Sequence, residues 1–166
     1  MQPMNPRPFD TLTTHTGIAF QEFRSAPLDI RLAVRAMCEI DILCEHIVRS
    51  ELPGMMSRKD FDAKREALFQ AEPALRTMRD VHDTHKHGPL GRADATVKSG
   101  RPSKFQWSGG GGALGFGALG SGAIGQVPTV HLVIETQSAA PMAITVAEQA
   151  FNFLTDEMTK RGLFPK

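Results

Sequence analysis

The sequence predicts an α+β protein: an N-terminal helical bundle, a small antiparallel β-hairpin or sheet, and a C-terminal helix. Through the first half of the chain, apolar residues recur every three or four positions, the period of helices with one buried face. The segment 130–134, VHLVI, is instead short and rich in β-branched residues, as strands are. Helical spacing returns in the last twenty residues.

The first two helices are predicted from caps and proline positions. Asp10 is expected to cap the first helix, which ends at the break 25–27, Ser-Ala-Pro. Pro27 suits the first turn of a second helix, expected from about Leu28 to Arg49. Asp41 falls within the apolar stripe of that helix. Because an unpaired buried carboxylate is costly, we expect Asp41 to have partners.

Two shorter helices follow. Ser57 with Asp60 resembles a capping box and opens a third helix that runs to about Ala71. Pro73 breaks the chain and starts a fourth helix that reaches His87. The pair 88–89, Gly-Pro, is a strong helix stop.

The second half is predicted to hold the sheet and the last helix. Residues 108–125 contain nine glycines and are expected to lack regular structure. Strands are expected at 130–134 and 142–144, with further short strands at 96–97 and 105–107. Thr145 with Glu148 is expected to cap the last helix, and Gly162 to end it in a Schellman motif.

Length favours a single domain over residues 1–166. Within it we expect a helical bundle over about 9–90, a glycine-rich region over 91–128, and a hairpin plus helix over 129–166.

Composition limits the classes of function. The net charge of +1 provides no bulk field for nucleic acid or acidic membranes. With no tyrosine and one tryptophan, stacking platforms for bases are scarce. Cys38 and Cys44 lie six residues apart on one predicted helix, so they cannot pair and are expected to be reduced. Without a signal segment or a membrane-length apolar run, we expect a soluble cytoplasmic protein with no membrane partner.

The segment from Leu75 to Leu90 is the strongest candidate for a functional site. It concentrates titratable side chains in a few helical turns, which indicates either a polar contact network or a site. A structural interpretation has Asp41 paired across the bundle with a cation of this segment, with Asp41–His85 contact as the specific test. The polar network would comprise Asp41, His82, Asp83, Lys86 and His87.

A second interpretation is catalytic. Arg79 and Asp80, followed by His85, resemble the R-x4-6-H motif of the HEPN superfamily, and the resemblance covers the helical residues 10–90. It implies a four-helix bundle whose homodimer forms a metal-independent RNA-cleaving site. Arg79 would bind phosphate, Asp80 would be its polar companion, and His85 would act as acid and base. A histidine titrates near neutral pH, as such a role requires.

A third interpretation is a metal site. His82 and His85 lie three apart on one helix, while Asp41 and Glu45 lie four apart on another. Two such facing pairs occur in metal-binding bundles, although the Glu-x-x-His pattern of di-iron proteins is missing. The preferred prediction is therefore a small binding or accessory protein without a cofactor or resident metal, with RNA cleavage and metal binding as alternatives.

Overall fold

The computed structural model describes residues 7–51, 57–88, 90, 95–97, 102–107, 129–137 and 139–165. The helices are α1 (Pro8–Thr11), α2 (Gly17–Ser25), α3 (Ile30–Ser50), α4 (Arg58–Ala71), α5 (Ala74–His87) and α6 (Ala143–Lys160), and the strands are β1 (Ser103–Trp107) and β2 (Thr129–Val133). The predicted α+β class is confirmed. The glycine-rich tract 108–125 lies outside the described residues.

A π-helical segment, Leu12–Thr16, joins α1 to α2. Asp10 was predicted to cap the first helix, but α1 begins at Pro8 and Asp10 lies inside its first turn. Position 17, directly after the π turn, favours glycine. A Cβ there would lie only 2.8 Å from the Leu12 carbonyl oxygen. Buried Thr16 donates a hydrogen bond to the Glu39 carbonyl oxygen at 3.1 Å, which ties this segment to α3.

Helix α3 is the central element of the bundle and packs against α2, α4, α5 and α6. Pro27 was predicted to lie in its first turn, but α3 begins at Ile30, because Asp29 caps it. The Asp29 carboxylate accepts the backbone N–H groups of Arg31 at 2.8 Å and Leu32 at 3.2 Å. These bonds satisfy donors that a helix start leaves free and lower the pKa of Asp29.

His46 on α3 contacts the first helix, α1. Its Nδ1 atom lies 2.6 Å from Thr11 Oγ1, and the side chain is half-buried. Burial, followed by the positive charge of Arg49, lowers the pKa of His46.

Helices α4 and α5 follow the predicted boundaries closely. Ser57 caps α4 by accepting the Asp60 backbone N–H at 3.2 Å, as expected. Pro73 lies directly before α5, and the helix stops at Gly88, whose φ of 80° favours glycine.

Strands β1 and β2 pair antiparallel, with Ser103 opposite Val133 and Trp107 opposite Thr129. The strand predicted at 142–144 is wrong: only Met142 bridges Val133, and α6 begins at Ala143. The predicted Thr145–Glu148 capping box is wrong for the same reason. Once Met142 is held against the sheet, the helix starts before Thr145 reaches the cap position.

Two smaller features predicted for the second half have different outcomes. The Schellman end is confirmed: Leu163 N–H donates to the Met158 carbonyl at 2.9 Å, and Gly162 N–H to the Thr159 carbonyl at 3.1 Å. The predicted strand at 96–97 is reduced to one bridge between Val97 and Thr136. The core draws on α2 to α6 and β2, so the sheet and α6 cover the bundle.

Candidate functional site

Asp41 lies at the centre of a polar cluster inside the bundle, which we call the Asp41 cluster (Asp41, Glu45, Arg65 and His82). The Asp41 side chain is 2% exposed. Its Oδ1 accepts a hydrogen bond from Arg65 Nη2, and its Oδ2 lies 2.8 Å from His82 Nδ1. Arg65 Nη1 lies 3.1 Å from Glu45 Oε1. The carboxylate therefore joins α3 to both α4 and α5.

Arg65 occupies an apolar setting for a cation. Its side chain is 12% exposed, and its guanidinium carbon lies 5.3 Å from the centre of the Phe69 ring. Burial alone would lower the pKa of Arg65, but the charge and hydrogen bond of Asp41, together with the Glu45 charge, raise it. Arg65 is therefore firmly cationic, and it compensates Asp41 inside the bundle.

His82 is oriented by the same carboxylate. Its hydrogen bond to Asp41 raises the pKa of His82, against the opposing effect of burial. With Asp41 ionised, Nδ1 carries the hydrogen of the neutral ring, so Nε2 is left as an acceptor. Among the described residues, no hydrogen-bond partner engages Nε2. This arrangement provides an oriented imidazole with a free basic nitrogen.

A pocket of about 550 Å³ lies between α3 and α5, over His82. We call it the α3–α5 pocket. It is lined by Ile30, Arg31, Val34, Arg35, Cys38, Glu39, His82, His85 and Lys86. Burial, followed by the charges of Asp41 and Glu39, raises the pKa of Cys38 to about 12. Its thiol is therefore protonated at neutral pH and is a poor nucleophile.

The three residues of the predicted catalytic motif lie in different environments. His85 is exposed and lines the α3–α5 pocket, whereas Arg79 is not among the residues lining it. Arg79 Nε lies 3.5 Å from Asp83 Oδ2, and its guanidinium carbon is 5.8 Å from the Phe69 ring centre. Arg79 and His85 are thus six residues apart on α5 and contact different surroundings.

Asp80 is fully buried and holds the segment 95–97 against α5. Its Oδ2 accepts the Thr96 backbone N–H at 2.5 Å, the Thr96 hydroxyl at 2.8 Å and the Val97 backbone N–H at 3.4 Å. A carboxylate that satisfies backbone donors in this way has an architectural use.

The remaining predicted residues divide between the cluster and the surface. Contact between Asp41 and the histidine-rich segment is found, but through His82 rather than the expected His85. Asp83 is partly buried beside Arg79, while Lys86 and His87 are exposed in the last turn of α5. Lys86 lines the pocket.

Three of the four side chains of the metal hypothesis lie in the Asp41 cluster and His85 lines the α3–α5 pocket, but the four do not surround one metal position. Asp41 and Glu45 both bind Arg65, and His82 presents Nδ1 to Asp41. Within the described ranges, no group of three or more His, Cys, Asp or Glu side chains is arranged to hold a metal ion.

Sequence analysis missed Arg65, Arg31 and Arg35. Arg65 had a detectable signal, because Phe61, Arg65, Leu68 and Phe69 follow the four- and three-residue spacing of one helical face. Arg65 is a cation within the apolar face of α4, and Asp41 is an anion within the apolar stripe of α3. The two charges complement each other when these faces pack together. Arg31 and Arg35 carried no such signal, since they resemble ordinary surface residues.

Comparisons with protein-family models, with curated proteins and with solved structures give no match for this chain. Within the described part of the chain, no helix has both the length and the apolar character needed to cross a bilayer.

Replacing Asp41 with alanine is expected to lower the free energy of unfolding by about 3–5 kcal/mol, because it strands the buried cation Arg65. Urea unfolding at neutral pH measures the loss. Glu148→Ala is the matched control: its exposed pair with Arg24 spans 3.5 Å, and its loss should cost less than about 1 kcal/mol. Equal effects of the two variants would contradict a buried Asp41 cluster.

His82 is expected to make stability depend on pH. Because its folded pKa is raised, the charged His82–Asp41 pair contributes fully below about pH 6.5 and its contribution is lost as the pH rises through the folded value. The difference in unfolding free energy between wild type and His82→Gln should therefore be larger at about pH 6 than at about pH 9. Comparing the two proteins cancels the contribution of His46 to stability. The lowered pKa of His46 makes that contribution change with pH in the opposite direction. A difference that stays constant with pH would refute the assignment.

Proposed function

We propose that this protein binds a phosphate-bearing ligand, single-stranded RNA, in the α3–α5 pocket. The observation that carries the proposal is the excess of basic side chains around this pocket. Its basic lining residues are Arg31, Arg35, His82, His85 and Lys86, against Glu39 as the acidic one. A local excess of this kind attracts anions even though the whole chain carries a net charge of only +1.

Two of these cations are available to a ligand. Arg35 is engaged by Glu22, with its Nη1 2.5 Å from Glu22 Oε2. Arg31 and Lys86 form no ion pair with any other described residue. Neither side chain lies within ion-pair distance of a described carboxylate, although the charge of Arg31 still interacts with Asp29 at longer range.

The basic lining continues beyond the pocket. An adjacent pocket of about 370 Å³ is lined by Leu28, Asp29, Ile30, Arg31 and Lys104. The two pockets share Ile30 and Arg31. Lys104 on β1 is exposed and forms no ion pair with the described residues. Cations thus extend from the end of α5 across α3 to the sheet, which favours a ligand with several phosphates.

The same lining favours contact with the ligand backbone over recognition of bases. No aromatic side chain is among the residues described in either pocket. Without a stacking platform, binding rests on phosphate contacts, which carry no sequence information. We accordingly expect little preference among base sequences.

The proposal extends to location and assembly. We infer a cytoplasmic protein, since both cysteines, Cys38 and Cys44, are free, as thiols are in a reducing compartment. The resemblance to the HEPN superfamily supports a homodimer, which would bring two such basic surfaces together.

Binding is expected to weaken steeply with salt. Neutralising three phosphates, through Arg31, Lys86 and Lys104, gives a slope of log K against log salt of about −2 for a single strand. Fluorescence anisotropy with oligouridylate and oligothymidylate of about eight nucleotides measures it and separates RNA from DNA. Arg31→Gln and Lys86→Gln should each make the slope about 0.7 less negative.

Arg58→Gln is the control for this experiment, because Arg58 is highly exposed on α4 and outside both pockets. It should leave affinity and slope at their wild-type values. Absence of binding at low salt, or equal losses in all three variants, would overturn the proposal.

Cleavage of the bound RNA is the second candidate, and the Asp41–His82 pair favours it. His82 Nε2 would take the proton of a ribose 2′-hydroxyl, whose oxygen attacks the adjacent phosphorus. The bond from phosphorus to the 5′ oxygen breaks, and His85 donates a proton to that oxygen. The products are a 2′,3′-cyclic phosphate and a 5′-hydroxyl. In this scheme Arg31 and Lys86 hold the phosphate, a role that the HEPN-like motif gives to Arg79.

Cleavage should require no metal and should need a 2′-hydroxyl. With chelator present, oligouridylate should be cleaved and oligothymidylate should stay intact. His82→Gln and His85→Gln should each lower the rate by 100-fold or more, on the order of a lost general acid or base. Arg79→Gln separates the two assignments, because it spares activity in the pocket scheme and abolishes it in the HEPN-like scheme. Identical product from wild type and His82→Gln would exclude catalysis by this site.

A further inference from the structure

We propose that Arg65, by sharing the Asp41 carboxylate with His82, limits the proton affinity of the His82 imidazole, which lines the α3–α5 pocket. The inference deepens the cleavage candidate above and rests on it for its functional meaning. Arg65 would be a positioning and tuning residue, because it lies one side chain away from the pocket and lines neither of the two described.

The geometry makes Asp41 a shared acceptor. One carboxylate oxygen binds Arg65 Nη2 and the other lies 2.8 Å from His82 Nδ1. A buried carboxylate with imidazole as its sole partner would strongly favour the imidazolium, as opposite charges at this range do. A fixed guanidinium on the second oxygen opposes that effect, because protonating His82 then places two cations around one anion.

Arg65 is well placed to exert this effect continuously. Its side chain is held by Asp41, by Glu45 and by the face of Phe69. The low exposure of Arg65 and Asp41 means that water screens their interaction far less than it would at the surface. The effect of Arg65 on His82 is therefore expected to persist at physiological salt.

Other charged groups around His82 are distinguishable from Arg65. The titratable and charged side chains that line its surroundings come from three helices: Arg31, Arg35, Cys38, Glu39 and Asp41 on α3, Arg65 on α4, and Asp83, His85 and Lys86 on α5. Lys86 is cationic too, but it is exposed, so salt screens it. Arg65 is the cation in this set that binds the carboxylate holding the His82 ring.

The test is an NMR titration of the His82 imidazole in the full chain, without any ligand. Arg65→Gln keeps an amide that can donate to Asp41 but removes the charge, and the pKa of His82 should rise by about one unit, a tenfold increase in basicity. Arg65→Lys restores the charge and should bring the pKa back toward wild type. Arg76→Gln is the matched control, since Arg76 lies 5.5 Å from the same Phe69 ring and pairs with Glu66. It should leave the pKa of His82 unchanged.

A second pair of variants keeps the proposal testable if Arg65→Gln does not fold. Asp41→Asn leaves the guanidinium beside His82 without its carboxylate, whereas Asp41→Asn with Arg65→Gln removes both charges from the bundle. The pKa of His82 should be higher in the double variant than in Asp41→Asn. Equal pKa values within either comparison would overturn the proposal.

The outcome separates this inference from the proposed function. Wild-type protein that binds oligouridylate while Arg65→Gln leaves the His82 titration unchanged would refute the role of Arg65 alone. A shifted His82 titration in a protein that binds no oligonucleotide would refute the proposed function and leave the charge coupling intact.

Discussion

Burial of the Asp41 carboxylate is the constraint on which the centre of this structure depends. A charge inside a bundle is tolerated only when neighbouring groups compensate it. Here the compensation comes from two other helices, Arg65 on α4 and His82 on α5. The register of both helices against α3 is therefore tied to a single side chain. Aliphatic packing alone would specify that register less sharply, since apolar contacts have little direction.

The same constraint shapes the α3–α5 pocket. Because Asp41 holds the His82 ring through Nδ1, the ring has a defined orientation and Nε2 has no hydrogen-bond partner within the described ranges. Arg31, Lys86 and His85 gather around it from α3 and α5. Structural compensation and a chemically useful imidazole thus arise from one contact.

The catalytic motif predicted from the sequence is divided by the fold. Asp80 holds the backbone of Thr96 and Val97, and Arg79 lies against Phe69 and Asp83. Only His85 of the three reaches the α3–α5 pocket. A motif written as spacing along a helix cannot specify which neighbour each side chain meets. That depends on the packing of α4 and of the segment 95–97 around α5.

By itself, the sequence determined the helix boundaries in the bundle to within a few residues, the Ser57 cap, the Schellman end at Gly162 and the need of Asp41 for partners. These features follow from local rules: hydrophobic period, capping chemistry and the cost of an unpaired buried charge. Tertiary structure alone decided that His82 and Arg65 are those partners, that Asp80 serves the backbone, and that α6 starts at Ala143. Each of these depends on groups far apart along the chain, such as Met142 bridging Val133. Local rules can mark Arg65 as a cation within an apolar helical face, but they do not specify which distant side chain pairs with Asp41 or which backbone groups bind Asp80.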